Sequence, residues 1–147
     1  MSTALLTPSL GAYAVEEQAG YLLRRAHQRH TAIFQEALGS LDLTPTQFTA
    51  LVKIVELGRV TQNHLGRLAA MDPATIQGVV RRLVARGLAR TAPDPLDRRM
   101  IVLSPTKPGR DLAAAAVPLA GKITVATLAP LNAQEQRQFL ALLGKLA

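Results

Sequence analysis

The sequence of 147 residues predicts a mainly α-helical fold that contains one small β-hairpin. Apolar residues make up 48% of the chain but aromatic residues only 3%, so Ala and Leu supply most of the core and favour closely packed helices. Apolar positions recur at three- and four-residue steps along most of the chain. Between residues 88 and 103 this period gives way to two short strand-like runs around a polar turn.

The first part of the chain combines a loose arm with a long helix. Residues 1–11 show no periodicity and are predicted to be a flexible arm, whereas residues 12–147 are predicted to form a single domain. A long amphipathic helix is predicted to begin at residue 12 and to end at Leu38, with Gly39 as its C-cap. Its apolar stripe consists of Val15, Ala19, Leu22, Leu23, Ala26, Ile33, Phe34 and Ala37.

The second helix has three start signals at once. Thr44 is a good N-cap, Pro45 suits the first helical turn, and Gln47 can complete a capping box with Thr44. Gly58 follows the last apolar position and ends the helix.

Two shorter helices follow, and their arrangement is a helix-turn-helix pattern. Thr61 is predicted to cap a helix that runs to about residue 70. After a brief turn, Asp72 and Pro73 open the next helix, which ends at Gly87. Two short helices joined by a tight turn, the second with a strong cap, are typical of this motif.

A predicted hairpin comes directly after the helix-turn-helix and forms its wing. The strand-like runs are Leu88–Thr91 and Met100–Leu103, separated by a polar turn over residues 93–99. Together these elements predict a winged helix-turn-helix over residues 44–104.

Helical periodicity returns from residue 106 to Leu128, with a kink predicted at Pro118, and Asn132 begins a last helix. The winged helix is therefore flanked by helices over residues 12–40 and 106–147. Their apolar stripes extend well beyond what a winged helix needs, so we expect them to pair with a second copy of the chain.

The positive charge of the chain is concentrated in one stretch. The net charge is +7, and residues 59–110 contain ten basic and three acidic residues, whereas the remaining residues contain seven of each. A focused positive field suits the binding of a polyanion, and the alternative is a generally basic, soluble surface.

The helix that begins at Pro73 has an outward face suited to the major groove of DNA. Small and polar side chains near its start permit close approach, and Gln77 can bond bidentately to adenine. The alternative is an ordinary solvated helix face, which would more usually carry Glu or Lys. The predicted DNA-binding residues here are Pro73, Ala74, Thr75, Gln77, Gly78, Arg81 and Arg82.

The turn Asp97-Arg98-Arg99 presents two guanidinium groups at the tip of the hairpin. Arginine at this position can enter the narrow minor groove, where the negative potential is greatest. We expect Asp97 to orient Arg99 rather than to contact DNA itself. The alternative is a surface salt bridge that only stabilises the turn.

Three motifs together are typical of one family of regulators: Asp97-Arg98-Arg99, the following Leu103-Ser104-Pro105-Thr106 and Gly109, and the run from Leu43 to Phe48. They give the chain a resemblance to the multiple antibiotic resistance regulator (MarR) family over about residues 12–146. It implies a homodimer joined by the terminal helices, a double-stranded palindromic DNA operator, and a small aromatic, often anionic effector. It also adds Thr61 and Gln62 to the DNA-binding positions. One departure is Gln77-Gly78, where the family usually has Thr or Ser followed by Arg.

Candidate effector residues are fewer and less specific. Arg24, His27 and His30 lie at three-residue steps on the first helix, and Arg90 lies just before the wing. A cation at the floor of an apolar pocket would suit a carboxylate, but each residue could equally be an interface or surface group. Metal binding by the two histidines is disfavoured, since no third ligand is suitably spaced. The resemblance adds three positions to the pocket: Gln47, Leu51 and Met71.

Other classes of function find little support. The chain has no Cys, which excludes disulfides and thiolate ligands and fits a cytoplasmic protein. We expect no signal peptide and no membrane association, because the N-terminus lacks a long apolar run and the basic helix lacks apolar-face aromatics. No constellation typical of an enzyme or cofactor site is evident. The alternative to an effector-controlled repressor is a constitutive winged-helix module that binds DNA or protein without ligand control.

Overall fold

The computed structural model describes residues 11–147, so the predicted arm lies outside the described residues except for Gly11. The elements follow the predicted order, with a 3-10 turn at Val15–Glu17 before the first helix and another at Gly39–Leu41 after it. The helices and strands are α1 (Ala19–Leu38), α2 (Pro45–Leu57), β1 (Val60–Thr61), α3 (Gln62–Leu68), α4 (Pro73–Ala85), β2 (Ala89–Pro93), β3 (Ile101–Pro105), α5 (Lys107–Leu128) and α6 (Ala133–Leu146).

The helix starts are set by the side chains that the sequence indicated. The Thr44 hydroxyl accepts a hydrogen bond from Gln47 N at 3.3 Å, and Thr44 N donates to Gln47 Oε1 at 3.4 Å, which completes the capping box of α2. Asp72 Oδ1 accepts from Thr75 N at 2.8 Å at the start of α4. Gly87 has a φ of +72° just after α4, a conformation that only glycine adopts without strain.

The start of the first helix differs from the sequence prediction. α1 begins at Ala19 rather than at residue 12, because Gln18 has an extended backbone after the 3-10 turn. Gly39 does cap α1, but it has a right-handed conformation and leads into the second 3-10 turn. The positive φ expected of a C-terminal glycine is found instead at Asp42, with φ +54°. α5 runs from Lys107 to Leu128, as predicted, and includes Pro118 within one continuous helix.

The wing belongs to a three-stranded antiparallel sheet of order β1-β3-β2. β2 and β3 form the predicted hairpin, with Thr91 opposite Leu103. The third strand, β1, pairs Val60 with Leu103 on the other edge of β3. The sequence does not predict β1, because a strand of two residues is too short to show an alternating pattern.

The core lies inside the winged helix and extends to the end of α1. Side chains from α2, α3, α4 and β3 fill it, and Phe34 and Leu38 anchor α1 in the same cluster. The largest side chains that are completely or almost completely buried are Leu38, Leu51, Ile54, Leu65, Ile76, Leu83 and Leu103.

A tight junction joins the winged helix to α5. The Thr106 hydroxyl donates to the Gly87 carbonyl at 2.6 Å and accepts from Gly109 N at 3.1 Å. A Cβ atom on Gly109 would overlap the Leu88 carbonyl oxygen, so only glycine fits there. This contact fixes the start of α5 against the end of α4.

The terminal helices are packed less completely. α1 packs along α5, whereas α6 has no buried residue within the described part of the chain. Exposed large apolar side chains are frequent on α1, α5 and α6: Leu22, Leu23, Val117, Val125, Phe139, Leu140, Leu142 and Leu146. By length and composition alone, α5 is the one helix in residues 11–147 that could cross a membrane, and in the structure it packs on α1 and α2.

Candidate nucleic-acid interface and effector groove

The outward face of α4 carries the side chains that the sequence predicted there. Ile76, Val79, Val80 and Leu83 are buried, and this fixes the rotation of the helix. Pro73, Ala74, Thr75, Gln77, Arg81 and Arg82 are exposed, and Gly78 is half-buried. The helix therefore presents small residues near its start and two guanidinium groups further along. This order of side chains permits close approach to a groove, with cations at its phosphate edges.

The cap of α4 is charged. Hydrogen bonds from the Thr75 backbone and side chain hold the pKa of Asp72 below its ordinary value, so this carboxylate is ionised at neutral pH. A negative charge at a helix N-terminus is stabilising and keeps the start of α4 in place.

The wing turn has the geometry predicted for Asp97 and Arg99. Arg99 Nε donates to Asp97 Oδ1 at 3.0 Å and Nη2 donates to Oδ2 at 3.2 Å, a bidentate pair. The Arg99 side chain and backbone bonds lower the pKa of Asp97. The Arg99 side chain remains 90% exposed, so its guanidinium is held in one orientation without being buried.

The tip of the wing is ordered by a second aspartate. Asp94 Oδ1 accepts from Leu96 N at 2.7 Å, and Leu96 projects from the tip with 97% of its surface exposed. Arg98 is also exposed. The wing thus presents two guanidinium groups, one of them held in place by Asp97, beside an apolar side chain.

Thr61 and Gln62 lie at the start of α3 and are half-buried. The Thr61 hydroxyl caps α3 by accepting from His64 N at 3.2 Å, as the sequence predicted. A shallow depression separates this helix start from Arg99, Met100 and Ile101 of the wing. The three predicted DNA-binding segments are therefore on α4, on the wing and at the start of α3.

The six predicted effector residues are dispersed in the protomer. Gln47 is buried at the start of α2, and Leu51 is completely buried in the core. Arg24 is exposed, with its guanidinium 5.7 Å from the Tyr21 ring centre. Arg90 is exposed on β2, and Met71 lines a separate depression between α3 and α4. The groove that contains His27 is lined by none of the other five predicted residues.

One of the six, His27, lies in a mostly apolar groove. This groove has a volume of about 450 Å³ and lies between α1, α5 and α6. His30 is at its wall, with Nδ1 2.9 Å from the Thr127 hydroxyl. The lining residues are Leu23, Ala26, His27, His30, Thr124, Thr127, Leu128, Phe139, Leu140 and Leu143.

The sequence points to His30 as a candidate but does not place it in the pocket, and it does not single out the residues of α5 and α6. Leu23 and Ala26 belong to the predicted apolar stripe of the first helix, but the sequence does not assign them to the pocket. The lining residues of α5 and α6 could not be predicted, because the sequence does not give the distance between α6 and α1.

Comparison with known proteins agrees with this architecture. The sequence model of the MarR family matches residues 41–100, which span most of the winged helix. The HTH-type transcriptional repressor NicR of Pseudomonas putida is 43% identical over 134 residues, which cover 91% of this chain and 85% of the relative. The transcriptional regulator HosA of Escherichia coli is 32% identical over 133 residues, 90% of this chain and 97% of that protein.

Solved structures extend the comparison to the fold. A probable transcriptional regulator from Pseudomonas aeruginosa is 45% identical with a TM-score of 0.87, over 91% of this chain and all of that chain. The DNA binding of Bordetella bronchiseptica BpsR is regulated by 6-hydroxynicotinic acid. Its structure is 40% identical in sequence with a TM-score of 0.87, over 91% of this chain and 96% of that chain. A mutant of Escherichia coli MarR, solved in complex with operator DNA, is 26% identical with a TM-score of 0.80, over 86% and 91%.

These relatives are regulators of transcription and not enzymes, and the likeness covers the winged helix together with the flanking helices. The chain belongs to the MarR family of winged-helix transcriptional regulators.

Proposed function

We propose that this regulator is a homodimeric repressor that binds a palindromic operator in the cytoplasm and leaves it when a small aromatic acid binds. The observation that carries the proposal is the outward face of α4. Small residues and Gln77 occupy its first half, and Arg81 and Arg82 flank them. Such a face can enter the major groove, while the oriented Arg99 reaches the adjacent minor groove.

Dimerisation follows from the incomplete packing of the terminal helices. Large apolar side chains are exposed on α1, α5 and α6, and α6 buries none of its residues in the protomer. A second copy can cover these surfaces. Two-fold symmetry would place the two α4 helices one DNA turn apart, roughly 34–36 Å, which requires a palindromic site.

The effector we propose is an aromatic carboxylate of the hydroxylated nicotinic acid class. Support comes from BpsR, whose DNA binding is regulated by 6-hydroxynicotinic acid, and from its 40% identity with this chain. The groove between α1, α5 and α6 is the site we favour, because its walls are apolar and His27 and His30 supply polar contacts. This revises the six-residue pocket predicted from sequence. Of its members only His27 is retained.

The first test is operator selection from a randomised duplex library, followed by affinity measurements by fluorescence anisotropy. We expect an enriched site with two inverted half-sites. Gln77→Ala should weaken binding to that site by about 1–3 kcal/mol per altered contact and leave binding to a random duplex unchanged. Equal losses on both duplexes would exclude Gln77 from base recognition.

The second test measures linkage between effector and DNA. 6-Hydroxynicotinic acid should weaken operator binding, and saturating operator should weaken binding of the acid by the same factor. His27→Ala should reduce the response, whereas Arg90→Ala, on the distant β2, should leave it intact. Operator binding that no aromatic acid changes would favour the alternative, a constitutive DNA-binding module.

A further inference from the structure

Arg86 lies at the C-terminal end of α4 and points away from its predicted DNA-binding face. Its Nη1 donates to the Asp42 carbonyl at 2.5 Å, and its Nη2 donates to the Leu41 carbonyl at 3.2 Å. These carbonyls are 44 and 45 residues away in sequence, at the end of the 3-10 turn that joins α1 to α2. The guanidinium therefore bridges two parts of the chain that are distant in sequence.

The bridge joins α4 to the turn that follows α1, a helix of the proposed dimerisation surface. α4 otherwise packs mainly on α2, α3 and β2, all within the winged helix. The turn held by Arg86 follows directly after Leu38, the buried end of α1. The orientation of α4 relative to the turn that follows α1 is thus fixed by a polar contact as well as by apolar packing.

Arg81 and Arg82 differ from Arg86 in what their side chains contact. Both are exposed, and neither side chain takes part in a hydrogen bond among the described residues. They are available to neutralise phosphates. The Arg86 guanidinium already has two of its five N–H groups directed at backbone carbonyls.

We infer that Arg86 is a positioning residue for operator binding, which holds α4 at the correct angle to the α1–α2 turn and does not contact phosphate. This inference rests on the proposed operator binding. A planar guanidinium donates to two adjacent carbonyls through a rigid fork, which fixes its orientation. The three donors of an ammonium group rotate freely and do not fix the orientation in this way. Arg86→Lys therefore keeps the charge and most of the stem but loses the fixed two-carbonyl contact.

The salt dependence of DNA binding separates positioning from phosphate contact. Each phosphate contact contributes about 0.9 to the slope of log K against log salt concentration, so a side chain present twice in a dimer contributes about 1.8. Arg82→Gln, on the same helix, serves as the matched control and should reduce the slope by about that amount. Arg86→Gln and Arg86→Lys should leave the slope unchanged.

The experiment measures affinity for the selected operator and for a random duplex at several salt concentrations, with the melting temperature of each variant. Both Arg86 variants should bind the operator about tenfold more weakly, equivalent to about 1.4 kcal/mol, with random-duplex binding retained. A reduced slope in Arg86→Gln that Arg86→Lys restores would make Arg86 a phosphate contact and overturn the inference. Unchanged operator affinity with a lower melting temperature would reduce Arg86 to a stabilising contact and overturn it too. Failure of the wild type to select any site would overturn the proposed function as well.

Discussion

The winged helix and the terminal helices differ in how completely one protomer packs them. In the winged helix, α2, α3, α4 and β3 bury large side chains fully, as at Leu83. In α6 no residue is buried, and Leu140 remains 50% exposed beside a groove of about 450 Å³. The winged helix therefore has a well-buried core, whereas the terminal helices leave apolar surface that a second copy would cover in the proposed dimer. A dimer built this way could change the distance between its two winged helices by altering only the helices that join them.

The largest effect is expected at the junction of the two regions. Gly109→Ala should lower the free energy of unfolding by about 3 kcal/mol or more, because the new Cβ would overlap the Leu88 carbonyl. Gly121→Ala is the matched control in the same helix, since its Cβ meets no atom of residues 11–147 within 4 Å, and it should be neutral or stabilising by up to about 1 kcal/mol. Urea unfolding measures both. Equal stability of the two variants would mean that the junction is not tight.

The next prediction compares the truncation of one leucine in each region. Leu83→Ala should cost about 2–5 kcal/mol, because it leaves a cavity in a completely buried site. Leu140→Ala should cost less, and its effect should appear as a raised dimer dissociation constant and a melting temperature that depends more strongly on concentration. The two regions would not differ as described if Leu140→Ala unfolded as readily as Leu83→Ala at every protein concentration.

A smaller effect of opposite sign is expected at Gly78. Glycine inside a helix costs about 1 kcal/mol relative to Ala, and a Cβ there would meet, within 4 Å among the described residues, only the end of the Arg82 side chain, at 3.8 Å. Gly78→Ala should therefore stabilise the fold while weakening operator binding, because the methyl group projects from a helix that must approach DNA. Thermal melts and anisotropy titrations measure the two effects. Improved stability with unchanged operator affinity would show that Gly78 is not at the interface.

The smallest effect concerns the wing. Asp97→Asn should lower the ratio of operator affinity to random-duplex affinity by about twofold to tenfold. The reason is that the Arg99 side chain, no longer held by Asp97, must be ordered when it binds DNA. Because Arg99 lowers the pKa of Asp97, the carboxylate contribution is complete above the ordinary pKa and is lost only as the pH falls through the lowered one. The difference between wild type and variant should thus be constant between about pH 5.5 and pH 8. A difference that vanishes at the acidic end of that range would contradict the observed pairing.

The same contrast decides how much the sequence can predict. Caps and glycines at the helix ends are local signals, and so Thr44, Asp72 and Gly87 define helix boundaries correctly from the sequence alone. The Asp97–Arg99 pair is predictable for the same reason, since its partners are two residues apart. These signals cover most of the winged helix and its DNA face.

What could not be predicted depends on long-range packing. The Arg86 bridge spans more than forty residues, and β1 exists only because β3 accepts it as a partner. The groove proposed for the effector depends on the distance between α1 and α6, which neither helix encodes alone. Leu51, predicted to line the pocket, is completely buried in the single chain, and an apolar position in a pattern does not reveal whether its side chain faces a cavity or the core.

Sedimentation velocity of the full chain, without DNA and at micromolar concentration, tests the central claim most directly. If the terminal helices are completed by a second copy, the protein should sediment as a dimer of twice the 15.7 kDa chain mass. Leu140→Asp should shift it toward monomer while leaving the circular dichroism of the helices largely intact. A stable wild-type monomer under these conditions would contradict the claim that the terminal helices, unlike the winged helix, need a second copy to cover their apolar side chains.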